Sequence, residues 1–558
     1  MTITYEVDCT APERQVYHVT LTLGELAPGL HVLTLPVWGA AYEVRDFARH
    51  LFGLEVTDPS GVPMGVVKTA KNTWEFEAAA SSATVTYHVY ANELVVESSH
   101  LDATHAYWSG HTLFFIVDGV RDLPIDLFVR VPVGWHISTG LDPAGAEPGH
   151  YRAPHYDHLV DCPVEAGTHP RYRFMVQGKR HEIAVWGHGN EEPDRLVSDV
   201  RRIVETASSL FGGLPYKHYT FLVHLTEGGG GVEHRNSTTC QTSPLAFKPW
   251  SRYKRTLNLF AHEFFHLWNV KRIRPAVLDR PDYNREVYTR LLWAMEGVTS
   301  YYAPLLLRRA GLYSVEDYTE TLADAIKSLE SKPGRRVMSA AHASFDTWMA
   351  NYDQGPDVAN RAISYYLKGS LVGFVLDMEI RRRTLNRRSL DDVLRLLYER
   401  YAAHGVGFSE GAYQAAAEDV AGGSLAAFFA RYVEGVDELP VEAALSLVGL
   451  ALRRTHPATP HRQHDPAHLP AWLGVEFATR PPSRAIATVF NPGPAAGILY
   501  PGDEIVALDG LRTPTVDAVE ARIQTDWRPG ESVSVHVFRR GRLEAVTVAL
   551  GAAPPGQY

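Results

Sequence analysis

The chain has 558 residues, 45% of them hydrophobic and 21% charged, with a formal net charge of -10. That length suits roughly three or four domains with sizeable cores, and the acidic balance excludes a surface built for duplex nucleic acid. Cys9, Cys162 and Cys240 are too few and scattered for a disulfide framework. With no long apolar run and no signal-like N-terminus, the expected setting is the cytoplasm with no membrane partner.

Residues 1–170 alternate apolar and polar positions at period two, as in Val16–Leu23 and Thr84–Tyr90, with turn residues between the runs. Half-buried strands produce that period, and a β-sandwich-like domain is expected here. His100, His105 and His111 are close in sequence, but their spacings suit no single helix face, so no metal role is read from them. From about Tyr172 the period changes. His181–Gly187 reads as a strand, Glu192–Phe211 as an amphipathic helix and Tyr219–Leu225 as a strand, which makes a mixed α/β layer. The run Gly228–Ser237 opens no helical pattern and has no Lys after it, so a phosphate cradle is excluded and a flexible loop is the plain expectation.

Leu257–Val270 reads L-N-L-F-A-H-E-F-F-H-L-W-N-V and carries H-E-x-x-H at His262, Glu263 and His266. On a helix of ~3.6 residues per turn, two His four apart leave the same face and can share one cation, with Glu263 beside them as a general base. The flanking Phe, Leu and Trp residues predict a core helix reaching Val270 with only the metal face open. Alone, the pattern also fits a pair of core histidines, because a catalytic zinc needs a third protein ligand and an open position. Glu296, in L-L-W-A-M-E-G-V-T-S-Y-Y, supplies a candidate. A carboxylate inside an apolar helical run is costly unless paired or ligating, and Gly297 lets another backbone approach. Helical sequence follows from Tyr301 to about Leu450; within it the basic run Arg381–Arg388 falls between two helices, with Ser389 and Asp392 as the next N-cap. His456–Pro470 is Pro- and His-rich without periodicity, which marks a linker.

Four elements occur in order: G-G-V-E-H-R at Gly230–Arg235, H-E-F-F-H-L-W-N-V-K-R-I-R-P at His262–Pro275, W-A-M-E-G-V-T-S-Y-Y at Trp293–Tyr302, and S-Y-Y-L-K-G at Ser364–Gly369. Together they resemble the glycyl aminopeptidase family, metallopeptidase family sixty-one of the gluzincin clan, over nearly the full length. The resemblance implies a multidomain α+β fold with the β domain at 1–170, a thermolysin-like α/β zinc domain with a helical lobe at 171–455, a linker at 456–470 and a PDZ domain at 471–552. In the last, Leu473-Gly474-Val475 is placed like the loop that receives the C-terminal carboxylate of a peptide. It further implies one Zn2+ per chain on His262, His266 and Glu296, Glu263 as general base, Tyr366 as oxyanion donor and Glu233 as anchor of the substrate amine. The substrates implied are peptides with a free N-terminus, losing small Gly- or Ala-type residues. The chain also resembles the alanyl and leucyl aminopeptidases of family one, but there the third ligand follows sooner and the amine motif ends in Asn where His234 stands. For Tyr365 core packing is as good a reading as a place in the site. The competing functions are a zinc endopeptidase, which lacks an amine anchor, and a PDZ-containing peptide-binding protein.

Overall fold

The period-two runs near the N-terminus become strands in the computed structural model, which describes residues 1–79, 81–350, 355–456, 458–465, 467–479 and 484–556. Val16–Gly24 lies between Thr2–Asp8 and Ser82–Tyr90 in an eight-stranded sheet, antiparallel to both. Its Tyr17, Val19, Leu21 and Leu23 are buried, and the register sets Leu21 opposite Tyr5 and Val85, so one face is continuously apolar. Two further four-stranded sheets complete this sheet-rich region.

The α/β layer is a five-stranded sheet built from β1 (Arg171–Val176), β2 (Lys179–Trp186), β3 (His218–Leu225), β4 (Gly230–Glu233) and β5 (Ser237–Thr242), in the order β1-β2-β3-β5-β4. β2, β3 and β5 are parallel, whereas β1 and β4 run antiparallel at the two edges. The parallel step from β2 to β3 is made by helix α1 (Pro193–Phe211), which starts on a proline and stops at Gly212, where φ is 76° and only glycine sits without strain. Gly230–Glu233 is thus a strand and not the loop expected of Gly228–Ser237; β5 supplies the ladder partners that local sequence does not show.

Helix α2 (Trp250–Phe265) carries the H-E-x-x-H residues and ends at Phe265, short of its expected end at Val270, with His266 as its C-cap. The chain divides into two units, one of Met1–Thr289, Tyr302–Ser314 and Val393–Tyr413, the other of Arg290–Tyr301, Val315–Asp392 and Gln414–Tyr558. The second contains helix α3 (Tyr365–Arg383), whose N-cap Ser364 accepts from Leu367 N–H at 3.4 Å. Ser389 N–H donates to Asp392 Oδ2 at 2.9 Å, the capping expected after the basic run. The same unit contains a C-terminal segment with a four-stranded sheet, two short strand pairs and helix α4 (Val516–Asp526) over a core that includes Leu473, Ile486, Leu499, Ile505 and Val535. In the expected linker 456–470, Pro460–His464 forms a short helix, while Pro457 and Pro466 lie outside the described residues. No helix among the described residues is long and apolar enough to cross a membrane.

Candidate active site

The rotation of α2 is fixed by its aromatic side. Phe264 meets Tyr219 edge to face at 5.0 Å, and Phe265 stacks on Tyr302 at 4.6 Å. His266, 1% exposed, keeps the helical bond from its N–H to His262 O at 3.2 Å. Its Nδ1 lies 2.6 Å from the Asn269 carbonyl, an acceptor only, so the ring proton sits on Nδ1 and Nε2 presents a lone pair. That lone pair faces His262 Nε2 at 2.9 Å. Two imidazole nitrogens so close repel unless a proton or cation lies between them, and imidazole nitrogen is a preferred zinc donor, so the pair fits that ion. The early end of the helix serves this arrangement, because the turn at Leu267–Asn269 brings the Asn269 carbonyl onto the ring.

Glu263 and Glu233 face the same place. Ligand-type atoms of Glu233, Glu263 and His266 all lie within 4.8 Å of one another, and all three residues are buried. Glu233 closes β4 at the sheet edge, and Gly231 on the same strand leaves room for Glu263: a Cβ there would stand 2.5 Å from Glu263 Cγ. The glycine-rich stretch is therefore a strand that Glu263 crosses closely.

A third carboxyl comes from the N-terminal region. Gln241 donates to Leu94 O at 2.7 Å, and Tyr107 OH donates to Val96 O at 2.5 Å and contacts Thr239 Oγ1 at 3.2 Å. Because β5 pairs Gln241 with Gly230 and Thr239 with Val232, residues 94–97 follow β4 and bring Glu97 towards Glu233. Burial pushes the Glu97 carboxyl up to about 7; Arg45 opposes the rise, and Glu43 and Glu233 add to it. No motif marks Glu97, and only the tertiary fold identifies it.

His234 faces Asp161, with Nδ1 3.3 Å from Oδ1. Asp161 also takes Lys271 Nζ at 2.7 Å and Arg235 N–H at 2.8 Å. Burial works to raise this carboxyl, but Lys271 and His234 outweigh it and hold it well below the usual range. His234, Arg235 and Lys271, all within the motifs, thereby lock the turn that follows Glu233.

In the second unit Glu296 is 3% exposed on a single π-helical turn, Trp293–Gly297, where a plain helical run was expected. Gly297 and Gly369 explain the local geometry: a Cβ on Gly297 would stand 2.5 Å from Gly369 Cα and 2.7 Å from Tyr365 O. The turn thus presses directly on the start of α3. There Tyr365 is a core residue, its hydroxyl 3.0 Å from Thr347 Oγ1, while Tyr366 stacks on it at 4.7 Å and is only half-buried. Leu473 is buried, and Gly474 has a φ of 82° with its carbonyl accepting from Phe490 N–H at 2.9 Å.

Residues 4–168 match the family described as the peptidase M61 N-terminal domain, and residues 255–372 match the M61 glycyl aminopeptidase family. The chain belongs to the M61 glycyl aminopeptidase family. It is therefore a peptidase. The crystal structure of an aminopeptidase N family protein from Idiomarina loihiensis superposes with a TM-score of 0.92 at 28% identity, covering 99% of this chain and 96% of that one. That of an M1 zinc metallopeptidase from Deinococcus radiodurans gives a TM-score of 0.49 at 15% identity, covering 79% of this chain and 95% of that one. No curated protein matches. The M61 match takes in His262, Glu263, His266, Glu296 and Tyr366; Glu233 falls between the two matched ranges, and the segment with Leu473, Gly474 and Val475 lies beyond them.

A cluster missed by sequence spacing lies apart from these residues. His105 Nδ1 is 2.8 Å from Glu165 Oε1 and His224 Nε2 is 2.9 Å from Glu165 Oε2, with all three buried. His100 Nδ1 adds a contact of 2.9 Å to His105 Nε2. His224 lies far along the chain on β3, so only strand packing assembles the group.

Proposed function

We propose that this M61 peptidase is a zinc-dependent aminopeptidase, with one Zn2+ held by His262, His266 and Glu296. The observation that carries the reading is the pair of Nε2 atoms 2.9 Å apart, with the carboxylates of Glu233 and Glu263 converging on His266. Glu296, a buried carboxylate, is the third ligand in this reading. A bound zinc would supply a Lewis acid that lowers the pKa of a water and polarises the scissile carbonyl. Glu263 takes the proton of the attacking water and returns it to the leaving amine. The Tyr366 hydroxyl donates to the oxyanion as charge develops on the carbonyl oxygen. Glu233 holds the substrate ammonium, and the edge of β4 is available to the peptide backbone.

Small N-terminal residues of the Gly and Ala type are the basic substrates. Residues 471–552 serve as a PDZ domain, with the amides around Leu473-Gly474-Val475 receiving a C-terminal carboxylate; the positive φ of Gly474 supports that turn. Three buried free thiols suit a reducing compartment, and we place the enzyme in the cytoplasm. The test pairs zinc analysis of the wild type and Glu296→Ala with turnover of alanyl anilide and N-acetylated peptides. Zinc lost in the variant and cleavage only of free-amine substrates are expected. Undiminished zinc would move the third ligand elsewhere, and internal cutting of blocked peptides would make the enzyme an endopeptidase.

A further inference from the structure

Glu233 forms part of the wall of a cavity of about 400 Å³ whose other walls include Trp38, His111, Arg235, Lys271 and Tyr283. That is the volume of a built ligand site and far more than a glycine hydrogen or an alanine methyl requires.

The aspartates on its walls are already matched to cations. Asp161 takes Lys271 at 2.7 Å, Asp122 takes Arg280 at 2.9 Å, Asp279 takes Arg274 Nε at 2.9 Å, and Asp157 takes Arg121 Nε at 3.0 Å. Arg235 differs. Its guanidinium donates to the Lys271 carbonyl at 3.3 Å, and among the described residues no carboxylate lies within ion-pair distance of it. Burial, reinforced by Arg274, works against its charge, yet a guanidinium stays protonated in proteins. A partly desolvated fork of donors facing a cavity is what a carboxylate completes.

His111 is the second, independent observation. It is 3% exposed, lines the same cavity, and its Nε2 has no hydrogen-bond partner. Burial pushes this ring down to about 3, so it is neutral. Its Nδ1 lies 3.4 Å from the Ser109 hydroxyl; with that hydroxyl donating, the ring proton sits on Nε2 and points to an acceptor.

We infer that this cavity binds an acidic side chain, so that the enzyme also releases N-terminal aspartate and glutamate. The inference rests on Glu233 as amine anchor. Glu233 and Arg235 are two residues apart, hence no more than roughly 7 Å between their backbones, and one amino-acid residue carrying an ammonium and a side-chain carboxylate can span both. Arg235 with His111 then selects the carboxylate while Glu233 selects the amine.

The experiment uses the full chain and compares kcat/KM for alanyl, aspartyl and glutamyl anilides, with thermal shifts produced by free L-aspartate, L-alanine and N-acetyl-aspartate. Aspartyl and glutamyl substrates within about tenfold of alanyl are expected. Arg235→Gln is expected to lower both by tenfold or more while leaving alanyl within twofold, and L-aspartate is expected to stabilise the wild type more than either comparison compound. Cleavage of alanyl but not acidic anilides overturns the inference and leaves the aminopeptidase reading intact, as does an equal loss on all three in Arg235→Gln. Failure on every free-amine substrate overturns the aminopeptidase reading instead. The site is then decided by whether L-aspartate stabilises the wild type, with no stabilisation overturning it.

Discussion

Glu263 neighbours His262 in sequence but points about 100° away around the helix, so the two residues take different tasks. Glu263→Gln keeps the shape and removes the proton acceptor. It is expected to retain zinc while kcat falls by several orders of magnitude, measured by metal analysis and steady-state rates. Undiminished kcat would dismiss Glu263 as the base. Gly231 gives a gentler probe of the same group. A Cβ there would stand 2.5 Å from Glu263 Cγ, and because it meets a side chain and not backbone, Gly231→Ala should displace Glu263 with little effect on folding. Misplacement of a catalytic group by an ångström can cost about 100-fold, so kcat is expected to drop by roughly 10- to 100-fold with Tm nearly unchanged. Unchanged kcat at unchanged Tm would mean that the position of Glu263 is not critical. His262, Glu263 and His266 are legible in the sequence because helical geometry makes their spacing local. Glu97 is not, because it reaches Glu233 only through Leu94 and Val96 docking beside β5.

Strand and helix identities follow from periodicity where one face is buried, as in Val16–Gly24 and α1. The exceptions have specific causes: β4 forms because β5 pairs with it, and the run through Trp293 becomes a π turn where Gly297 meets the backbone of α3. The Glu165 cluster likewise belongs to elements, since the strands Val164–Gly167 and His105–Trp108 and strand β3 bring its members together. Burial alone would raise the Glu165 carboxyl, but His105 and His224 outweigh it and hold it at about 2. In the unfolded chain a Glu titrates near ~4.3. The folded state therefore binds the proton more weakly, and the stabilisation is fully present above that unfolded value and disappears as pH falls towards about 2. A shift of that size corresponds to about 3 kcal/mol. Glu165→Gln is expected to lower stability at pH 7 and flatten the acid limb between roughly pH 4.5 and 2, as read by urea midpoints. An acid limb identical to that of the wild type would assign the acid sensitivity to other carboxylates.

At the scale of the whole molecule, the order of β region, α/β layer, helical region and C-terminal segment was legible, because each has its own period or turn chemistry. Less legible was how the C-terminal segment attaches within its unit. Asn360, ahead of α3, donates from Nδ2 to Val489 O at 2.8 Å and accepts at Oδ1 from Asn491 N–H at 2.8 Å, so one side chain clamps two backbone groups of that segment. Lys327 likewise bonds the Gly556 carbonyl. Short polar contacts between residues so far apart leave no trace in sequence periodicity. They also shape what deletion from Pro470 onward should do. All proposed catalytic groups precede that point, so kcat/KM for alanyl anilide is expected to stay within about threefold. Stability should fall, by about 1–2 kcal/mol for the two lost Asn360 hydrogen bonds, with more from apolar surface laid bare. Circular dichroism and thermal melting separate the two effects. A truncated chain that melts cooperatively with native helix content yet hydrolyses nothing would show that the C-terminal segment shapes the catalytic site, and its role would then extend beyond binding a peptide tail.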